Sequence, residues 1–128
     1  MIPAQQVVDL VLEAAGAVET IVLVSDHAEA SLRWAGNSMT TNGVSFSRST
    51  TVISIVRQGD SAHVVSLETT EVDPAMLPEL VAASQAAARS APAARDSFEL
   101  PAGTAGPDDW DGPIAGTDPS NLSFASQT

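Results

Sequence analysis

Hydrophobic residues near the start of the chain follow helical spacing. Between Pro3 and Ala15 they recur at intervals of three and four, which predicts an amphipathic helix with one apolar side. Proline is suited to the first turn of such a helix, because its missing N–H has no partner there. Gly16 is suited to end the helix.

A second helix is predicted after residue 72. Asp73-Pro74 is a typical helix start, with aspartate as the N-cap and proline in the first turn. Pro78 offers an alternative start, since a proline deeper in a helix would remove a backbone donor. In either case the helix is expected to end by Ala91-Pro92.

The stretches between the helices have the spacing of strands. Ala28 to Trp34 alternates apolar and polar residues, and Thr50 to Arg57 is a run rich in Val, Ile and Thr. Five strand segments are predicted in all: 19–25, 28–34, 39–46, 50–57 and 62–69. Because short turns join them, we expect an α+β fold in which an antiparallel sheet of about five strands is covered by two helices.

The segment from Ala35 to Phe46 is the least regular of these. Ala35-Gly36-Asn37 indicates a turn, after which Met39 and Thr41 are expected to share a face. The apolar residues then change parity at Asn42-Gly43, so that Val44 and Phe46 fall on even positions. A β-bulge would produce this change, and a tight hairpin at Asn42-Gly43 is the alternative.

Composition limits the kinds of chemistry open to the chain. It has 128 residues, 44% of them hydrophobic but only 4% aromatic, and no cysteine. One domain of ordinary size is therefore expected, with a core of aliphatic residues. Disulfides, cysteine-ligated zinc and thiol catalysis are excluded.

The charge is strongly negative, at −11, and all five cations are arginines. Such a balance repels phosphate backbones, so no direct nucleic-acid partner is expected. No stretch resembles a secretion signal or a membrane span, which favours a soluble, cytoplasmic protein without a membrane partner. Glycine, proline and acidic residues dominate the end of the chain. We therefore divide it into a domain at 1–95 and a flexible acidic linker or arm at 96–128.

Few residues are arranged for catalysis. His27 and His63 lack a second histidine at helical spacing, and we interpret them as a turn histidine and a strand-edge histidine. Ser25, Asp26 and His27 are neighbours in sequence, whereas a catalytic triad needs residues from separate segments. Asp108-Asp109-Trp110-Asp111 could hold a divalent cation weakly, but a solvated acidic linker is the simpler interpretation. The sequence therefore assigns no catalytic residue and no metal ligand.

The pattern of residues 32–56 resembles the N-terminal domain of the TldD/PmbA metallopeptidases, a family once described as modulators of DNA gyrase. The matching pieces are Leu32-Arg33-Trp34-Ala35-Gly36-Asn37, Thr40-Thr41-Asn42-Gly43-Val44 and the Val-rich strand from Thr51 to Val56. The helix that begins at Val-Asp-Pro and ends before a proline-rich exit also fits. The resemblance covers about residues 4–95 and extends more loosely to about residue 118.

The resemblance implies a non-catalytic role. In that family a His-Glu-x-x-x-His helix in the C-terminal half binds zinc, and this chain has no His-Glu pair. We therefore expect an inactive, truncated or split N-terminal domain that needs no cofactor of its own. It would form cleft walls and interfaces with a zinc-bearing C-terminal domain that acts on peptide substrates, in a homodimer or a paralogous heterodimer. A stand-alone adaptor or regulatory protein that kept the fold is the alternative.

The polar residues around the predicted turn are the candidate cleft or interface positions. They are Arg33, Asn37, Thr41, Asn42 and Gly43. Such residues also suit turns and solvent-facing strands without any binding role.

Overall fold

The fold consists of two helices packed on one side of a three-stranded antiparallel sheet. The structure is a computed structural model that describes residues 1–70, 73–96 and 98–102. The elements in chain order are α1 (Ala4–Ala15), β1 (Glu19–Ala35), β2 (Ser38–Gln58), β3 (Ser61–Thr69), a 3₁₀ turn (Pro74–Met76) and α2 (Leu77–Ser90). The sheet order is β1-β2-β3. The α+β class with two helices on an antiparallel sheet is thus confirmed.

The described residues form three strands where about five were expected. Residues 19–35 are one continuous strand, and so are residues 38–58. The sequence pattern predicts two separate strands on either side of Asp26-His27. In the structure, Asp26 lies opposite Arg48 and His27 opposite Ser47 in an unbroken ladder. The side chain of Asp26 thereby gains a partner that lies 22 residues away in sequence, which a local pattern cannot reveal.

The hairpin between β1 and β2 turns at Gly36-Asn37. These residues have φ of 57° and 58°, and Ala35 pairs with Ser38. Two residues with positive φ between paired strands form a type I′ turn, whose twist matches that of the strands. The turn expected at residues 35–37 is therefore confirmed.

The bulge lies at Thr40 and not at Asn42-Gly43. Arg33 pairs with Thr41 and Trp34 pairs with Met39, which leaves Thr40 as the extra residue of β2. The hydroxyl of Thr40 donates to the carbonyl oxygen of Arg33 at 3.2 Å.

The register corrects the interpretation of this segment in two respects. Gly43 pairs regularly with Ser31, so there is no hairpin at Asn42-Gly43. Because Thr40 shifts the phase of β2, Met39 and Thr41 lie on opposite faces and do not share one.

Both helices begin and end close to where their sequences predict. Gly16 ends α1 with φ of 61°, a conformation that suits glycine. At the second helix, the Asp73 carboxylate accepts a hydrogen bond from Ala75 N at 2.9 Å. A 3₁₀ turn follows, and the α-helix starts at Leu77, so each of the two predicted starts describes one part of this region.

The core lies between the helices and one face of the sheet, which we call the inner face. Its buried members come from α1, α2 and β2 and are Val7, Val11, Ala15, Val52, Leu77 and Val81. Val22 and Val24 of β1 pack against them, so the even-numbered residues of β1, and those of β2 after Thr40, point inward. Within this apolar layer, Ser84 of α2 donates a hydrogen bond of 2.8 Å to Ser54 of β2, and both residues are fully buried.

The structure does not reach the whole of the predicted acidic linker. Residues 103–128, with the cluster at 108–111, lie outside the described residues. Contacts with the domain continue beyond the predicted boundary at 95, because Arg57 Nη2 donates to Phe98 O at 2.8 Å. Within the described residues, neither helix has the length and apolar character needed to cross a bilayer.

Candidate interaction surface on the β-arm

β1 and β2 extend well beyond the rest of the fold as a two-stranded arm. β3 pairs with β2 only from Thr50 to Gln58, whereas the β1–β2 ladder continues to the turn at Gly36-Asn37. We call residues 25–49 the arm. Ten residue steps along β1 give it a length of about 33 Å. Two paired strands without cover have little stability of their own, so the root of the arm must hold it to the core.

An ion pair at the root of the arm provides this attachment. Arg48 donates to both carboxylate oxygens of Asp26, with Nη2 to Oδ2 at 2.7 Å, and Nη1 donates to Ile2 O at 2.6 Å. The side chain of Arg48 is only 7% exposed. Hydrogen bonds from Arg48, helped by its positive charge, lower the pKa of the Asp26 carboxyl, and the same bonds raise the pKa of Arg48. The pair thus marks where helix cover of the inner face ends.

Beyond this ion pair, the inner face continues along the arm as an uncovered apolar surface. Register and alternation place seven residues on it, which we call the apolar stripe: Ala28, Ala30, Leu32, Trp34, Met39, Val44 and Phe46. Four of them are large and strongly exposed, with Trp34 at 60% and Phe46 at 61%. A monomeric protein rarely exposes so many large apolar side chains side by side, so the stripe has the character of an interface.

The opposite face of the arm, which we call the outer face, is polar and charged. Ser31 donates a hydrogen bond of 3.0 Å to Glu29 Oε1, and His27 Nε2 lies 4.0 Å from Glu29 Oε2. Arg33 and Thr41 sit opposite each other on the same face. The arm therefore presents one apolar and one hydrophilic side, which is the pattern of a strand pair with one side for a partner and one for water.

The five positions predicted from sequence are all exposed, but they do not form one surface. Arg33, Thr41 and Gly43 lie on the polar outer face, and Asn42 lies on the inner face opposite Leu32. Asn37 occupies the turn at the tip of the arm. The structure thus brings Arg33 and Thr41 together and separates Asn42 from them.

The two histidines lie far apart and on opposite faces of the sheet. His27 is opposite Ser47 on the outer face, and His63 is opposite Val56 on the inner face. Nine residue steps along β2 separate these positions, or about 30 Å. His27 is in the middle of a strand and not in a turn as expected, whereas His63 Nδ1 lies 2.6 Å from Ala91 O. The structure therefore does not bring the two imidazoles together in one site.

A catalytic triad is not formed by Ser25, Asp26 and His27. Alternation along β1 sends the Asp26 side chain inward to Arg48 and the His27 side chain outward. The described part of the chain also brings together no group of three His, Asp or Glu side chains able to hold a metal ion. Its residues accordingly do not offer the ligand set that a zinc centre needs.

The sequence contained a pattern that could have identified the stripe. Every even position of β1 from Val22 to Trp34 is apolar, except for Asp26. Val44 and Phe46 were also expected on even positions, but without the β1–β2 register they could not be placed beside Ala28 and Ala30. The turn at Gly36-Asn37 and the extra residue Thr40 together supply that register.

No protein-family model, curated protein or solved structure matches this chain. The resemblance of residues 4–95 to TldD/PmbA domains accordingly stays a hypothesis based on sequence pattern.

Proposed function

We propose that this chain is a non-catalytic interaction domain whose apolar stripe receives a partner polypeptide. The observation that carries the proposal is the continuation of the inner face beyond Asp26 and Arg48, where Trp34, Met39, Val44 and Phe46 are 48% to 61% exposed. The stripe holds no charged side chain, so a partner must supply apolar side chains to cover it.

The partner proposed is the zinc-bearing half of a TldD/PmbA-like metallopeptidase that acts on peptides. The sequence resemblance supports this choice, because residues 32–56 include the β2 strand of the arm, its turn and the last four residues of its β1 strand. In this arrangement, the arm is one wall of a peptide cleft in the cytoplasm, with Arg33, Thr41 and Gly43 on its polar side and Asn37 and Asn42 near its tip. Zinc and the chemistry of peptide hydrolysis belong to the partner half, and pairing with a second copy or a paralogue is part of the same proposal.

A binding assay with matched variants tests the role of the stripe. The partner is a polypeptide carrying the His-Glu-x-x-x-His helix, taken from the same genome and titrated against the 128-residue chain. Phe46→Ser is expected to weaken binding at least tenfold, because it removes the most exposed large aromatic residue of the stripe. Leu12→Ser is the control, since Leu12 is 45% exposed on α1, away from the arm.

Metal analysis of the purified chain tests the non-catalytic role. We expect no stoichiometric zinc and no peptidase activity from the chain alone, and both from the complex. One tightly bound zinc ion per chain would contradict the proposal. Capture of a non-peptidase protein through the same stripe would instead favour the adaptor alternative.

A further inference from the structure

The outer face of the three-stranded sheet carries a second apolar cluster, two of whose five members are strongly exposed. Cross-strand pairing places Ile21 beside Ile53 and Ile55 beside Val64 on this face, with Leu23 next to them. Leu23 is 56% exposed and Val64 is 41% exposed. We call these five residues the outer cluster. It is separate from the apolar stripe, which lies on the inner face.

The residues that follow α2 run toward the outer cluster. The helix ends on the inner side of the sheet, where Ala91 O contacts the His63 ring. Three residues later, Ala94 N donates a hydrogen bond of 2.7 Å to Ala62 O. Since β3 is an edge strand, residues 91–94 pass the edge of the sheet at this point.

The following residues reach the outer side. Arg57 and Ala62 face each other across β2 and β3 with their side chains on the outer face. Arg57 Nη2 donates to Phe98 O at 2.8 Å, and its Nε donates to Glu19. Ala62 is only 2% exposed, whereas Val64, Ser66 and Glu68 along the same side of β3 are exposed. Cover of the outer face thus begins where the crossing segment arrives.

The length of chain that follows is sufficient to cover the cluster. Ile53 lies four residue steps from Arg57 along β2, or about 13 Å. Eight residues lead from position 102 to Trp110, and an extended chain of that length spans about 26 Å. Residues 103–128 also contain the apolar residues Ile114, Leu122 and Phe124.

We propose that the segment 103–128 of this chain docks on the outer cluster, with Trp110 packed against Ile21, Leu23 and Ile53. A tryptophan covers more apolar area than the other residues of the segment, so it is the anchor. Glu68, opposite Thr51 at the edge of the cluster, repels the aspartates that flank Trp110. The docking therefore rests on apolar contact, and added salt is expected to strengthen it by screening this repulsion.

Tryptophan fluorescence of the 128-residue chain tests the proposal. The chain has only two tryptophans, so Trp34→Phe leaves Trp110 as the single reporter. We expect its emission to lie at a shorter wavelength than that of a free tryptophan and to be quenched several-fold less by acrylamide. Adding Leu23→Asp should shift the emission to longer wavelength and raise the quenching. Leu12→Asp, at a similarly exposed leucine on α1, should change neither.

Two results would overturn the proposal. One is a Trp110 signal equal to that of a free tryptophan. The other is a docked signal that appears only with rising protein concentration together with a doubled mass in sedimentation, because a second copy would then be the occupant. Far-UV circular dichroism checks folding, and Val64→Asp replaces Leu23→Asp if the latter does not fold. The outcome is independent of the proposed function, since neither zinc analysis nor partner binding involves Trp110.

Discussion

Arg48 and Asp26 face each other across β2 and β1 at the root of the arm, and the same guanidinium holds the carbonyl oxygen of Ile2 ahead of α1. One side chain therefore connects both strands of the arm to the first helix. Because hydrogen bonds between charged groups are stronger than neutral ones, this small cluster is well suited to fix the direction in which the arm leaves the core.

Asp26→Asn is expected to destabilise the fold by about 1–2 kcal/mol, because the nearly buried Arg48 loses its charged partner. The loss stays at this modest level because the Asp26 side chain is 53% exposed, so water screens the pair. Urea unfolding near neutral pH measures the loss. Glu29→Gln is the control, since it removes another carboxylate of β1, whose Oε2 lies 4.0 Å from His27 Nε2.

The effect of Asp26→Asn should disappear in acid. Arg48 lowers the pKa of Asp26 in the folded state, so the pair stabilises the fold above the unfolded-state pKa of about 3.9. This stabilisation is lost as the pH falls through the lower, folded-state pKa. The unfolding free energies of the wild type and Asp26→Asn should therefore begin to converge below about pH 4 and agree once the pH lies below the folded-state pKa. A difference that persists or grows there would contradict the role of this pair.

The buried Ser54–Ser84 hydrogen bond is the basis of a further prediction. Ser84→Ala should cost about 1–2 kcal/mol, because it leaves the Ser54 hydroxyl without its 2.8 Å donor inside the core. Adding Ser54→Ala should restore part of this loss, since two alanines leave no unpaired hydroxyl. Chemical unfolding of the two single variants and the double variant measures the coupling between them. Strictly additive losses would show that the two hydroxyls do not depend on each other.

The elements whose character is set by local residues were predicted well from sequence. Spacing of Val7, Val11 and Ala15 placed α1, and Asp73-Pro74 placed the start of the second helical region. The β2–β3 hairpin followed from two β-rich runs joined at Gly59, whose φ is 61°. In each case the deciding interactions lie within a few residues of one another, so the pattern is visible along the chain.

The arm was harder to predict because its structure depends on partners distant in sequence. The continuity of β1 depends on Asp26 meeting Arg48, and the phase of β2 depends on Thr40 bonding back to Arg33. Without this register, the sequence indicates only the polar residues near the turn as candidate site positions. It gives no reason to group the apolar residues Trp34 and Phe46, which the register places on one face.

The same valine-to-alanine substitution should cost more stability in the core than in the apolar stripe. Val11→Ala should lower stability by about 2 kcal/mol, because Val11 is fully buried between the helices and the sheet. Val44→Ala is the same substitution on the arm, where Val44 is 51% exposed. The free energy of unfolding should therefore change by less than about 0.5 kcal/mol. Thermal or urea unfolding compares the two. Equal losses would mean that the stripe is packed within the free chain and is not an open surface.

Two glycines of the arm provide the last test, because they have different backbone requirements. Gly36 has φ of 57° in the turn, whereas Gly43 lies in regular strand geometry, and a Cβ would meet no atom within 4 Å at either position. Gly36→Ala should therefore destabilise the turn by about 1–2 kcal/mol through backbone strain alone. Gly43→Ala should stabilise the strand by about 0.5–1 kcal/mol, since alanine loses less entropy on folding.

Because a two-stranded arm can open without global unfolding, the measurement is hydrogen exchange of amides in residues 28–46. Exchange should accelerate about five- to thirtyfold in Gly36→Ala and slow in Gly43→Ala, while the amides of α2 stay unchanged in both. Equal exchange in the two variants would contradict the type I′ turn at Gly36-Asn37 and, with it, the register that places the apolar stripe on one face.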